Sequence, residues 1–392
     1  METHPTASAP EAPESAPSPR LAVLVSFTGD GGVENMVTNL LRGFVAAHVP
    51  VDLILLKARG GHLDRIPPQV NVIRLDVSTS LLALPAVVRY LQRQRPAAML
   101  VAKDRASRIA LLARRIAGVE TRLVLRMGMH LSGSLAGKSW LQRSARYLPV
   151  RWLYPWADAI ITVAPAVADD LATIARLPRD RFEVIANPTI SPALYRQADE
   201  TSGHPWLDAT NADPIPVIVA AGRLRPQKDF ATLIKAFARV RERRVVRLII
   251  LGEGTERAHL EQLARDLGVE RDIDLPGFLD NAYAFMRGAA AFALSSRFEG
   301  APNVLVEAMA LGTPVVATDC PSGPRTILDG GRHGPLVPVA DPEALAAGIV
   351  QALDHPIPGD QLRHAVSDYT IAASTQRYLQ VLGIEPRKTR EP

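Results

Sequence analysis

From Leu21 onward the chain alternates two patterns: short, nearly unbroken apolar runs, and longer stretches in which apolar positions return every three or four residues. The first pattern marks strands buried on both faces of a parallel sheet, and the second marks amphipathic helices laid over it. LAVLVSF (Leu21 to Phe27) reads as such a strand; Gly29, Gly31 and Gly32 follow, and then a helix from about Val33 to Ala47. VDLILL at 51–56, AAMLVA at 97–102, RLVLRM at 122–127, DAIITV at 158–163 and FEVIAN at 182–187 continue the series. A second series follows at 216–222, 245–252, 272–277, 290–295 and 313–318, alternating with helices at about 229–243, 255–267, 302–311 and 341–353, and the stretch 361–382 is helical again. Between the two series, 191–214 is polar, contains Pro192, Gly203, Pro205 and Pro214 and has no period, so it reads as an interdomain linker. The predicted organisation is α/β: a tail at 1–19, doubly wound domains at 20–190 and 215–360, and a closing helix and tail at 361–392. Ligands of open parallel sheets bind beyond the carboxyl ends of the strands, so the cleft between the two halves is the expected site.

Composition narrows the partners. The chain has 392 residues, 47% apolar and 22% charged, which suits two globular domains. A formal charge of +5 and a pI near 9.5 favour phosphate-bearing ligands or an anionic membrane face. Nucleic acid is not the expected partner, because no Lys/Arg block, zinc-finger spacing or aromatic RNA-binding signature is present. Cys320 is the sole cysteine, so an intrachain disulfide and a cysteine-based metal cluster are excluded, and a reducing cytoplasm fits. Residues 1–19 lack the apolar core of a signal peptide and no window approaches 18 consecutive apolar residues, so any membrane contact is expected to be peripheral.

Two segments carry chemistry. In AGRLRPQKDF, Arg223 lies just beyond a strand's carboxyl end and Lys228 just before Asp229, which is placed to cap the helix bearing Phe230, Leu233, Ile234 and Phe237. Two cations there match a diphosphate whose charge grows as it departs; the alternative is a pair of solvated charges beside a helix cap. In RFEGAPNVLVEAMALGTPVV, Gly300 gives backbone access, Pro302 suits a first helical position, and Gly312 suits the stop. The N–H groups at the start of that helix face an anion. Glu307 falls at helical spacing with Val304 and Leu311, so its carboxylate lies beside an apolar face and needs a partner, either ribose hydroxyls or a structural Arg or N–H. Glu299, in the loop before the helix, is better placed to touch a sugar.

These runs, 221–230 and 295–331, resemble the hallmark segments of the retaining glycosyltransferase family 4, whose architecture is GT-B: two Rossmann-like domains facing across a cleft. GGVENMVTNLL (Gly31 to Leu41) resembles that family's first glycine loop and helix, VIANP (Val184 to Pro188) its end-of-domain strand, and TDCPSGP (Thr318 to Pro324) the subset acting on lipid-linked or cell-surface glycans. The resemblance implies a sugar-nucleotide donor, probed first as a uridine diphosphate sugar, and a glycan or lipid-linked glycan acceptor, with no cofactor and no metal. It implies that Arg223 and Lys228 bind the donor diphosphate, that Glu299 approaches the transferred sugar and Glu307 the ribose, and that backbone around Gly300, Asn303 and Val304, with Gly31 and Gly32, completes the cradle. The family's histidine near the reacting sugar has one candidate here, His130, although RMGMH is not a close match. Thr326 replaces a Glu of the subset's TDCPSGPRE, and Ala301 a bulkier apolar residue. A sugar-nucleotide epimerase of the same architecture and a non-catalytic sugar-nucleotide-binding protein are the alternatives.

Three other signals read as structural. Asp272 and Asp274 spell an acidic triplet but share one face of a strand; Arg257 interrupts the glycine fingerprint begun by Gly252 and Gly254; Asp169 and Asp170 lack further ligands. The segment Lys138 to Trp156, where Trp140, Tyr147, Trp152, Tyr154 and Trp156 interleave with Lys138, Arg143, Arg146 and Arg151, suits an anionic membrane face or, equally, a core helix with a basic outer side.

Overall fold

The structure is a computed structural model that describes residues 19–29, 32–135, 137–207 and 215–385; Gly31 lies outside these. Seven parallel strands form the first sheet: β1 (Leu21–Thr28), β2 (Val51–Arg59), β3 (Asn71–Arg74), β4 (Ala98–Ala102), β5 (Arg122–Met127), β6 (Ala159–Thr162) and β7 (Phe182–Val184). Their order is β3-β2-β1-β4-β5-β6-β7. Six form the second: β8 (Val217–Ala221), β9 (Arg247–Leu251), β10 (Ile273–Gly277), β11 (Ala291–Leu294), β12 (Val315–Thr318) and β13 (Leu336–Val337), in the order β10-β9-β8-β11-β12-β13. Each sheet reverses direction beside its first strand, which places a switch-point crevice at the ends of β1 and β4 and of β8 and β11. Helices cover both faces of each sheet, and every described residue of β4, β6, β8, β11 and β12 is buried. This explains why these strands read as apolar runs rather than alternations.

The segment 191–214 is helical at its start and irregular from Asp199 to Leu207. Pro192–Ala198 is a helix whose cap, the Ser191 hydroxyl, accepts from the Leu194 N–H, and Leu194 and Ala198 are buried in the second domain's core with Val217 and Phe292. Seven residues give too short a period to stand out. The closing stretch also divides. Helix Gly359–Ala365 buries Leu362 in the second domain, whereas helix Ile371–Leu382 returns to the first, with Tyr378, Leu379 and Leu382 packed in the core that holds Val25 and Leu100. The chain therefore crosses between domains twice, and the crossings lie side by side: the N–H groups of Thr189 and Ile190 both donate to the Tyr369 carbonyl at 2.9 Å.

Candidate functional site in the interdomain cleft

At the end of β8 the chain turns back on itself, and the Lys228 side chain lies over Gly222, where a Cβ would come within 2.9 Å of Lys228 Cε. Lys228 Nζ reaches Glu299 Oε1 at 2.6 Å, and the Ser296 hydroxyl donates to the same oxygen at 2.7 Å. The two loops that carry this pair are fastened together. The Ser295 hydroxyl donates to the Lys228 carbonyl, the Arg297 N–H donates to the Gln227 carbonyl, and the Gln227 amide donates to the Phe298 carbonyl. Lys228 and Glu299, far apart in sequence, thus form one preorganised pair. Arg223 is exposed on the same loop.

Asp229 does not cap its helix. Its backbone is left-handed (φ 49°), and its carboxylate accepts from the Thr232 hydroxyl at 2.9 Å and from Arg297 at 2.9 Å. Left-handed backbone is unusual for a residue other than Gly. Here it turns the chain so that Lys228 faces the cleft.

Helix Asn303–Ala310 starts at Pro302, which bears no N–H, and the N–H groups of Asn303 and Val304 have no acceptor among the described residues. That end is ready for an anion. Glu307, on the same helix, is buried at 7% exposure, and no hydrogen bond or ion pair with a described residue holds its carboxylate. Burial raises it from 4.5 to about 7, with the Lys228 charge opposing the rise. The Tyr283 phenol beside it is pushed up mainly by the Glu307 charge and further by burial. Cys320 is buried near Glu299, and its thiol is pushed up to about 12, chiefly by burial, which leaves it no nucleophile.

The pH dependence follows. A carboxyl whose folded value lies above its unfolded one contributes stability at acid pH that is lost as pH rises toward about 7. The loss is on the order of 3 kcal/mol for a shift of this size. Glu307→Gln is therefore expected to flatten the fall in melting temperature between pH 5 and 8; an unchanged slope would show that Glu307 does not titrate in this range.

Gly300 has a role the sequence did not reveal. A Cβ there would lie 1.8 Å from the Gly128 carbonyl oxygen, so Gly300 is where the two domains touch. Gly32, at the start of helix Gly32–Ala46, lies across the cleft from Asn303, whose Nδ2 would be 3.9 Å from a Cβ at that glycine. The Asn303 side-chain oxygen accepts from Asn187 Nδ2 at 2.9 Å and from the Thr189 hydroxyl at 3.3 Å, and Asn187 in turn accepts from Arg126 Nη2 at 2.6 Å. This bridge couples the end of β5 to the start of the helix bearing Glu307. Arg126 sits two residues before the Gly300 contact partner, and its position at a strand end was the only signal for it.

His130 is not brought to the Lys228–Glu299 pair. It caps the turn Leu131–Ser134: its Nδ1 accepts from the Gly133 N–H at 3.2 Å and lies 3.7 Å from Asp170. With Nδ1 accepting, the ring proton is on Nε2. Sequence reasoning also missed Lys103, whose ammonium donates to the Ser26 carbonyl and to Glu34, both at 2.7 Å, at the mouth of the first domain. Asp272 and Asp274 are structural, paired with Arg241 and His204 at 2.8 Å each. Among the described residues no cluster of three or more His, Cys, Asp or Glu side chains is placed to hold a metal ion.

Residues 31–188 match the family model described as glycosyl transferase 4-like domain, and residues 215–355 the model described as glycosyl transferases group 1. The chain is 32% identical over 267 residues to the lipopolysaccharide core biosynthesis glycosyltransferase LpsD of Rhizobium meliloti, covering 62% of this chain and 73% of that protein. It is 29% identical over 358 residues to the N-acetylgalactosamine-N,N'-diacetylbacillosaminyl-diphospho-undecaprenol 4-alpha-N-acetylgalactosaminyltransferase of Campylobacter jejuni, covering 88% and 92%. The crystal structure of Anabaena HepE in complex with UDP superposes with a TM-score of 0.72 at 20% identity, covering 93% of this chain and 99% of that one. Two parallel-sheet domains meeting at a cation-lined cleft, with these matches, define a transferase of the GT-B class. The chain belongs to the GT-B glycosyltransferases.

Proposed function

We propose that the protein transfers a hexosyl or N-acetylhexosaminyl group, with retention of anomeric configuration, from a uridine diphosphate sugar to a hydroxyl of a lipid-linked glycan. The observation that carries this reading is the convergence of the Lys228–Glu299 pair, the open N–H groups of Asn303 and Val304, and the unpartnered carboxylate of Glu307 within one cleft. A nucleoside diphosphate supplies what each lacks: phosphate oxygens for the cation and the N–H groups, and ribose hydroxyls as donors to Glu307. Two relatives support these substrates: HepE, whose structure holds UDP, and the Campylobacter enzyme, named for a diphospho-undecaprenol acceptor. Retention rests on the family resemblance.

In the reaction the bond from the anomeric carbon to the β-phosphate oxygen breaks, the acceptor oxygen bonds to that carbon on the same face, and the acceptor's proton passes to an oxygen of the departing diphosphate. Charge collects on the departing diphosphate. Lys228 has three N–H bonds and spends one on Glu299, so two remain for that charge. Arg223 and the helix N-terminus add to it, which makes a divalent cation unnecessary. Glu299, held by Lys228 and Ser296, presents its second oxygen to the sugar.

The test is product analysis by mass spectrometry after incubation with a panel of sugar nucleotides and lipid-extract acceptors, with and without EDTA. Acceptor-dependent transfer that survives chelation is expected. Donor consumption without acceptor would indicate an epimerase, and activity abolished by EDTA and restored by magnesium or manganese would overturn the metal-free reading. For Glu307→Gln, the donor KM is expected to rise more than kcat falls, because ribose contacts act on ground and transition states alike.

No helix among the described residues is long and apolar enough to cross a membrane. Helix Trp140–Leu153 exposes Trp140 at 74% and Trp152 at 72%, with Leu141 and Leu148 also exposed, beside the basic Arg143 and Arg146. The aromatic set is smaller than the sequence suggested. Tyr154 is fully buried and donates to Asp104 at 3.1 Å, and Trp156 stacks under Arg115. We propose that the two exposed tryptophans and the arginines rest on an anionic bilayer. Sedimentation with phosphatidylglycerol vesicles at low salt is expected to carry the protein down and Trp140→Ser/Trp152→Ser to release it; no sedimentation of the parent chain would remove the idea.

A further inference from the structure

The loop that follows β12 packs against the Glu299 loop from the side away from Lys228. Two hydroxyls fasten it there: Thr318 donates to the Ser296 carbonyl at 2.6 Å, and Ser322 donates to the Glu299 carbonyl. The Ser322 bond is the one hydrogen bond among the described residues between 319–324 and 297–302. Gly323 lies in the same contact. A Cβ there would come within 2.3 Å of Pro302 Cδ and 3.2 Å of the Gly300 carbonyl oxygen. Gly300 in turn lies against the Gly128 carbonyl of the first domain. Three loops are thus stacked in close contact, and Glu299 and Gly300 form the middle layer.

Thr318 is the last residue of β12 and has no unusual backbone. Ser322 differs. Its φ of 82° and ψ of −115° lie outside the left-handed helical region that Arg95, Arg176 and Asp229 occupy. Glycine adopts positive φ freely, whereas a residue with a Cβ does so at a cost and persists only where its surroundings hold it. The surroundings do so here. Ser322 is 7% exposed, and its hydroxyl is wedged between the Glu299 and Pro321 carbonyls. Glu299 is therefore fixed at both ends: Lys228 and Ser296 hold one carboxylate oxygen, and Ser322 holds the backbone carbonyl. The second carboxylate oxygen is left with one direction to face.

We propose that Ser322 is a positioning residue for the transfer. Acting through the Glu299 backbone, its hydroxyl sets where the Glu299 carboxylate meets the sugar and how closely Gly300 approaches the first domain. The proposal rests on the reading of Glu299 as the residue that faces the transferred sugar, and it adds what aims that residue.

The full chain is compared with Ser322→Gly, Ser322→Ala, Glu299→Gln and Ser322→Gly/Glu299→Gln. Turnover is read as UDP release from UDP-glucose, UDP-galactose and their N-acetyl forms with lipid-extract acceptor, beside melting temperature, calorimetric UDP affinity and hydrogen exchange. Ser322→Gly removes the bond and the strain together. It is expected to melt close to the parent while kcat falls about tenfold to a hundredfold, with donor KM and UDP affinity changed by no more than about threefold. Ser322→Ala keeps the strain without the bond, and is expected to lose the same rate and to melt lower than Ser322→Gly. Because Ser322 acts through Glu299, the two losses do not multiply, and the double variant is expected to turn over no more slowly than Glu299→Gln alone. Multiplied losses would make Ser322 an ordinary fold contact and overturn the proposal. A slow Glu299→Gln beside a normal Ser322→Gly would sink this proposal alone, whereas a Glu299→Gln that turns over like the parent would sink the reading of Glu299 beneath it. Hydrogen exchange answers whether or not a donor turns over: faster exchange across 297–302 in Ser322→Gly is expected, and unchanged exchange would overturn the positioning role.

Discussion

Lys228→Ala is expected to lower kcat by roughly a hundredfold to a thousandfold, the usual consequence of removing one preorganised contact to a developing charge. Donor binding should weaken less than that, because the diphosphate carries more charge at the transition state than in the bound donor. The structure adds a second consequence. Glu299 is itself buried, and with Lys228 gone its oxygen keeps only the Ser296 hydroxyl. An orphaned buried carboxylate costs up to about 3 kcal/mol or more. A loss of activity could then reflect a damaged fold, so the informative comparison is with Lys228→Ala/Glu299→Gln. Neutralising Glu299 removes the orphan charge, and the double variant is expected to recover most of the melting temperature while recovering none of the kcat. Should the double variant regain activity along with stability, Lys228 would be a structural partner of Glu299 and not a contact to the leaving group.

The strand series was legible because parallel strands buried on both faces need no polar alternation. Leu21–Thr28, Ala98–Ala102 and Val217–Ala221 are apolar almost throughout and fall where the reading put them. What escaped was short. The edge strand Asn71–Arg74 has four residues and Leu336–Val337 has two, and neither length sustains a recognisable period. The site was legible in its parts and not in its pairings. Lys228, Glu299 and Glu307 were singled out from local pattern and Asn303 through the family resemblance, but nothing in a linear chain says that Lys228 and Glu299, 71 positions apart, share a hydrogen bond. His130 was legible only as a loop histidine, and its bond from the Gly133 N–H, which occupies Nδ1, is a property of the folded chain. Arg126 was given no role within RLVLRM, because its lack of a carboxylate partner among the described residues is a property of the folded chain.

Gly300 carries the other large effect. Its φ is not in the left-handed region, so backbone freedom does not require a glycine there, and an alanine would be tolerated in an isolated second domain. The constraint comes from across the cleft. The added methyl would lie 1.8 Å from the Gly128 carbonyl oxygen, a backbone atom that cannot rotate away. To relieve the clash the domains must separate by about an ångström or more, a misplacement that can cost on the order of a hundredfold in rate when two substrates are held by different domains. Gly300→Ala is therefore expected to lower kcat by about that factor while UDP affinity falls less, because Lys228, Glu307 and the Asn303 and Val304 N–H groups, proposed to hold the nucleotide, lie in the second domain and keep their mutual geometry. The fold should survive with a penalty of about 1 to 3 kcal/mol, typical of overpacking. Gly128→Ala is a less clean probe, since a methyl there meets the Arg126 guanidinium at 2.3 Å and disturbs the bridge to Asn187 as well. Measuring kcat, UDP affinity and melting temperature of Gly300→Ala separates the outcomes: a normal turnover number would mean that the two domains do not approach this closely during catalysis, and lost UDP binding would mean that the glycine serves the phosphate cradle directly.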